Sequence, residues 1–244
     1  MFAVASGKGG VGKTWLSVTL SQALVRQNKS VLLFDGDLGL ANVDIQLGLQ
    51  PGRDLGGALA GKYTLAEAAC GHPDAGFDVI AGRSGSGGLA SLPAPRLKGL
   101  LKDLAALSHD YDQVVLDLGA GLEQTVRQLA GLARTNLIVV TDEPTSLTDA
   151  YAFIKLAHLQ DPGSDIRVVV NMAASPAEGE RTYATLLKAC ESFLKISPPL
   201  AGVVRRDSKV KDTIRHQMPI LTRHPTSDAA ADVEKLAARL IRRQ

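Results

Sequence analysis

The chain is expected to fold as a single α/β domain, a doubly wound, mostly parallel sheet with helices on both faces. Three observations predict this. Short apolar runs rich in β-branched residues recur along the 244 residues, and helical patterns lie between them. The runs are continuous rather than alternating, as in strands covered on both faces. Strand–helix alternation favours parallel strands joined by right-handed crossovers, which place helices on either side of the sheet.

In chain order, Phe2–Ser6 reads as the first strand and Lys13–Gln27 as the first helix. Val31–Asp35 is the second strand, and Phe77–Ala81 the third. Gly82-Arg-Ser-Gly-Ser-Gly-Gly88 reads as a loop after that strand. A helix is expected over Arg96–Leu107, a strand over Val114–Asp117 and a helix over Leu122–Ala133. Strand Leu137–Thr141 precedes helix Ser146–Leu159, and strand Ile166–Asn171 precedes helix Ala177–Lys195. Leu200–Val204 is the last strand. Near the C-terminus, Ala229, Ala230, Val233, Leu236, Ala237, Leu240 and Ile241 recur at helical spacing. Asp228, Asp232, Lys235, Arg239, Arg242 and Arg243 fall on the other faces. Three alanines and no aromatic residue on the apolar stripe favour packing on the domain over lying on a membrane. No internal repeat and no long Pro- or Ser-rich linker divides the chain, so residues 1–244 count as one domain.

Composition narrows the class. Hydrophobic residues make up 45% of the chain and charged ones 21%, which excludes disorder. Two cysteines, Cys70 and Cys190, build neither a disulfide framework nor a four-ligand zinc site. No apolar run approaches the roughly 18–20 residues of a membrane span, and the N-terminus lacks the pattern of a signal peptide. A cytoplasmic protein is expected. The net charge of +2 hides an asymmetry: residues 195–244 hold 11 Lys+Arg against 5 Asp+Glu, while the preceding 194 hold 16 against 20. The basic end reads either as solvated helix faces or as a contact surface for an anionic partner. Arg205, Arg206, Lys209, Lys211 and Arg215 form its densest cluster. The five histidines show no ligand spacing.

Chemistry concentrates at Gly7-Lys8-Gly9-Gly10-Val11-Gly12-Lys13-Thr14, which matches G-x-x-x-x-G-K-[ST] directly after a strand and at the start of a helix. The glycines let backbone N–H groups turn inward around phosphate oxygens, and the helix N-terminus adds its positive dipole end. Lys13 is expected to reach the β/γ-phosphates, and the Thr14 hydroxyl to bind Mg²⁺. The expected fold is therefore a single-domain P-loop NTPase. Val114-Val-Leu-Asp117, an apolar strand ending in Asp, has the Walker-B arrangement. Asp35, Asp37, Asn42 and Asp44 follow the second strand and bring carboxylates to the same sheet edge, with Asp44 expected to cap a helix.

Lys8 within Lys8-Gly-Gly-Val-Gly-Lys-Thr14 resembles the deviant Walker A of the MinD/ParA ATPases. The resemblance implies a homodimer that sandwiches ATP, with Lys8 reaching the partner's phosphates. It implies that Asp37 orients the hydrolytic water, that Asp35 supports it, and that Asp117 contacts Mg²⁺ through water. The stretch through Asp37, Asn42 and Asp44 is similar to the family's switch I, and Asp117-Leu-Gly-Ala-Gly121 to its switch II. Within the family, Asp117-Leu-Gly-Ala-Gly-Leu122 and Glu143-Pro-Thr-Ser-Leu-Thr-Asp-Ala-Tyr-Ala-Phe-Ile-Lys155 resemble the flagellar FlhG (FleN/YlxH) branch. Val169-Val-Asn171-Met and Ala177-Glu-Gly-Glu180 also fit, and the matches run from Ala5 to about Ser227. Asn171 matches the residue that reads the adenine edge.

Two departures stand out. Trp15 replaces a small residue or Asn, so its ring either crowds the nucleotide or packs. Gly202-Val-Val-Arg205 replaces Gly-x-Ile-Pro, which puts Arg205 beside the base. FlhG proteins also commonly carry an N-terminal activating helix for the flagellar GTPase FlhF; the sequence begins just ahead of the P-loop, so activation by such a helix is not assumed.

The function expected is a Mg-ATP-dependent dimerising switch with slow hydrolysis to ADP, governing flagellar number or placement. FlhF or basal-body proteins are the implied partners, with weak peripheral membrane or non-specific DNA contact through the basic end. A ParA- or MinD-like ATPase for partition or division-site placement is the alternative, as is an ATP-binding adaptor with negligible turnover. Iron–sulfur carriers share the P-loop, but they need a cysteine pair that Cys70 and Cys190, 120 residues apart, do not provide.

Overall fold

A computed structural model describes residues 1–82 and 92–242. The glycine-rich loop expected from Gly82 to Gly88 lies, after Gly82, outside the described residues, as does Arg243. The order of elements is β1 (Phe2–Ser6), α1 (Lys13–Val25), β2 (Val31–Gly36), α2 (Val43–Leu47), α3 (Leu55–Leu59), β3 (Cys70–Gly71), β4 (Asp78–Ile80) and α4 (Ala94–Leu107). It continues with β5 (Gln113–Ala120), α5 (Gln124–Ala130), β6 (Thr135–Val140), α6 (Pro144–Gln160), β7 (Asp165–Ala173) and α7 (Pro176–Phe193). The chain closes with β8 (Leu200–Arg205), α8 (Ser208–Arg215), α9 (Ile220–Arg223) and α10 (Asp228–Arg242).

The described strands form one eight-stranded sheet in the order β3-β4-β2-β5-β1-β6-β7-β8. Every pairing is parallel except β3 with β4 at the edge. The continuous apolar strands follow from two cores. In β1, Phe2 and Val4 enter the core on the side of α1 and α10, whereas Ala3 and Ala5 enter the one on the side of α4 to α7. Val31 and Leu33 of β2 face the first core, and Leu32 and Phe34 the second. Each Val, Leu or Phe among them contributes about 1.5–3 kcal/mol on burial.

Helix α1 is buried almost all round, and its hydroxyls are satisfied locally. Ser17, Thr19 and Ser21 donate to the carbonyls of Lys13, Trp15 and Ser17, four residues back. Helix α10 lays Ala229, Ala230, Val233, Leu236, Ala237 and Leu240 into the core beside α1 and β8. Its apolar stripe is therefore used within the domain, and membrane contact through that stripe would require unpacking the helix. No described helix is long and apolar enough to cross a membrane.

Candidate functional site

The P-loop joins the central strand β1 to α1, at the edge where the parallel strands end. Gly12 is the N-cap of α1 at φ 86°, with no side chain capping the first turn, so its N–H groups are left for an anion. A Cβ on Gly12 would also strike the Asn171 side chain, and one on Gly7 would strike the backbone of Asp149. These glycines are required by close approach as well as by dihedral angle.

Lys13 is buried, and its Nζ donates to Ser6 Oγ at the end of β1, 2.9 Å away. Desolvation lowers its pKa, while Asp117 and Asp37 pull it back up. Asp117 is buried on β5 opposite Asp35 of β2. It accepts from Ser17 Oγ at 2.9 Å and from the Thr14 hydroxyl, and burial raises its pKa to about 6. Thr14 and Asp117 are thus joined as a hydroxyl–carboxylate pair, the donor set Mg²⁺ takes when phosphates supply its other ligands.

Asp37 accepts from the N–H groups of Gly39 and Leu40, at 3.3 and 2.9 Å, and lies against Gly119. It lines a cavity of about 570 Å³ that also takes in Gly9, Gly10, Gly12, Lys13 and Thr14. Asn42, Asn171 and Arg205 line the same cavity. Asn171 Nδ2 donates to the Val11 carbonyl at 2.8 Å and so ties β7 to the P-loop. Arg205 is held by Asp232 through two bonds of 2.7 and 2.9 Å and by Asp228 at 2.8 Å.

Five expected residues do not line the cavity. Gly7 packs on α6, Val11 points into the core, and Asp117 sits behind Thr14. Asp35 is fully buried. Its carboxylate accepts from the N–H groups of Asp37, Asn42 and Val43, and desolvation followed by Asp117 raises its pKa to about 8. Asp35 therefore shapes the loop that carries Asp37. It also takes the place expected of Asp44: Asn42 is the N-cap of α2, Asp44 lies within its first turn, and the loop N–H groups before it go to Asp35. Lys8 turns away to pair with Glu143 and donates to Thr145 Oγ1 at 2.8 Å.

Gln46, Met172, Val210 and Ile214, to which the sequence gives no site role, also line the wall, as does Trp15. Two buried atoms at this wall have no hydrogen-bond partner, Asn42 Oδ1 and Trp15 Nε1. What fits a nucleotide here is the uncapped start of α1, Lys13 and the Thr14–Asp117 pair, which together suit phosphates carrying Mg²⁺. A second cavity, about 390 Å³, lies at the opposite sheet edge by Arg134 and Asp161, and none of the expected site residues lines it.

Residues 2–220 match the model of the CobQ/CobB/MinD/ParA nucleotide binding domain. The antiactivator FleN of Pseudomonas aeruginosa is 37% identical over 240 residues, covering 98% of this chain and 85% of FleN. The flagellum site-determining protein YlxH of Helicobacter pylori is 29% identical, with 98% and 81% covered. The septum site-determining protein MinD of Pyrococcus horikoshii, solved with Mg-ADP, superposes with a TM-score of 0.79 at 23% identity, covering 98% of this chain and 94% of that one, and so shares the fold. With its P-loop, its buried Asp117 and this coverage, the chain belongs to the CobQ/CobB/MinD/ParA nucleotide-binding family, with relatives in the FlhG branch.

Proposed function

We propose that the chain is a Mg-ATP-dependent dimerising switch with slow hydrolysis, a flagellar regulator of the FlhG type. The observation that carries this reading is the convergence of Lys13, Thr14 and Asp37 on one cavity, with Asp117 bonded to Thr14 behind its wall. The α1 N–H groups and Lys13 would bind the β- and γ-phosphates, and Asp37 would orient the attacking water. Thr14, and Asp117 through water, would hold Mg²⁺, which supplies charge neutralisation at the phosphates. Asn171 and Arg205 would border the base. Lys8 would exchange Glu143 for the partner protomer's phosphates, so its internal pairing belongs to the monomer. FlhF or basal-body proteins are the partners this reading implies.

Size-exclusion chromatography with ATP and with ADP tests the switch. ATP is expected to give a dimer, ADP a monomer, and Asp37→Ala a dimer that persists because hydrolysis is lost. If neither nucleotide changes the oligomeric state, the switch reading is wrong. One feature favours a second reading, with DNA as cargo: Arg206, Lys209, Lys211 and Arg215 are all exposed on and just before α8. Binding to random duplex DNA that weakens steeply with salt would support it.

A further inference from the structure

Ser17, Thr19 and Ser21 are fully buried on α1, and each hydroxyl reaches the carbonyl four residues back, at 3.0, 2.8 and 2.8 Å. Such a bond is enough to satisfy a helix hydroxyl. Of the three, Ser17 also meets a carboxylate: its Oγ lies 2.9 Å from Oδ1 of Asp117, 100 residues away. One hydroxyl proton then has two acceptors in reach. The charged acceptor makes the stronger bond, so the proton belongs to Asp117 and the Lys13 carbonyl is the weaker claimant. Packing alone would accept Ala at this position. The hydroxyl is there for the carboxylate.

Asp117 is 1% exposed, and the hydroxyls that donate to it are those of Thr14 and Ser17. The two stand differently. Thr14 lines the nucleotide cavity, where the ATP-site reading gives it the metal as a second partner. Ser17 sits behind that wall on the second turn of α1, where neither metal nor nucleotide reaches it. We propose that Ser17 is a positioning residue for Mg²⁺ binding: it fixes the Asp117 carboxylate beside Thr14, in place for the metal's water before nucleotide arrives. This rests on the ATP-site reading above and adds to it a residue that touches no ligand. Groups that orient a metal site's carboxylates in this way matter to metal affinity nearly as much as the ligands do.

Calorimetry with a non-hydrolysable ATP analogue, once with Mg²⁺ and once with EDTA, tests the assignment. Wild type is expected to bind more tightly with the metal, and the ratio of the two affinities is the readout. Ser17→Ala should bind within about twofold of wild type in EDTA, while its ratio falls about tenfold, the scale of losing such an orienting partner. Ser21→Ala gives up the same kind of backbone bond on the same helix but meets no carboxylate, so its ratio should match wild type. Asp117→Asn should lower the ratio by itself, and adding Ser17→Ala should lower it by less than about twofold more, because the two residues act as one unit. If Ser17→Ala does not fold, Ser17→Cys replaces it. Its thiol keeps the volume but donates weakly, so the ratio should still fall several-fold.

A wild-type ratio in folded Ser17→Ala or Ser17→Cys overturns the proposal. So does an equal loss with and without metal, or a full further loss on top of Asp117→Asn; either would make Ser17 a packing residue of α1. A wild type that binds equally well in both conditions keeps the phosphate cradle and removes the metal, and this proposal with it. A wild type that binds in neither overturns the ATP-site reading first.

Discussion

The two ends of the cavity are built on different principles. The phosphate end is made of backbone and of buried charge: glycines in left-handed conformation, an uncapped helix start, Lys13 near Asp37 and Asp117, and Asp35 buried beside Asp117. The other end, where we place the base, is made of side chains from separate elements, with Asn171 and Met172 from β7, Arg205 from β8, and Val210 and Ile214 from α8. Its charge is neutralised by ordinary ion pairs, as Asp228 and Asp232 show with Arg205. The first end depends on dihedral angles and desolvation, and a single change removes its purpose. The second depends on packing that neighbouring groups can partly replace.

The largest effect should therefore follow from Lys13→Ala. Losing the one buried cation at the phosphates should weaken ATP binding by roughly a hundredfold or more, the scale of charge-assisted hydrogen bonds lost from a desolvated site. Binding within threefold of wild type by calorimetry would mean that the phosphate end is not the anchor. Arg205→Ala is the matching change at the base end. Truncation removes a contact at the wall but leaves Asn171 and Met172, so a loss of about two- to fivefold is expected, that of one modest interaction. A loss as large as that of Lys13→Ala would erase the distinction between the ends.

The same contrast explains what could be read without coordinates. The P-loop was legible because its chemistry needs fixed spacing over eight consecutive residues, and Gly7 to Thr14 supply it. The long elements were legible from apolar runs covered on both faces. Phe2–Ser6 is the strand expected, and the other long strands and helices agree to within a few residues. The edge strand β3 and the helices α2, α3, α8 and α9 were not, since segments of two to eight residues show too little periodicity. Contacts across the fold were equally hidden. Glu143 stands 135 residues from Lys8, and Asp232 stands 27 from Arg205. Local spacing carries no record of either pair. Nor did the basic excess of the C-terminal end show that part of it is spent internally, on Asp212 for Arg223 and on Asp228 and Asp232 for Arg205.

The smallest predicted effect concerns pH and singles out the phosphate end. Burial lifts the Asp35 carboxyl from an ordinary 3.8 to about 8, so the folded chain holds its proton across a window in which the unfolded chain has released it. In that window the native state binds more protons, and stability must fall as pH rises. Asp117, raised to about 6, contributes the same sign at the lower end. The Met1 amino group, which burial pushes below its ordinary 8.0, opposes Asp35 between pH 6 and 8, so the comparison with Asp35→Asn isolates the Asp35 share. Without nucleotide, the wild-type urea midpoint is expected to drop steadily from pH 6 to pH 8. Asp35→Asn keeps an acceptor for the Asn42 and Val43 N–H groups and gives up the 3.2 Å bond from Asp37. Its stability should be lower at pH 6, but its midpoint should change less by pH 8 because the titrating group is gone. Parallel slopes for the two proteins would mean that Asp35 is already ionised in the folded chain. Another group would then have to offset its buried charge, and the phosphate end would rest on ion pairs as the base end does.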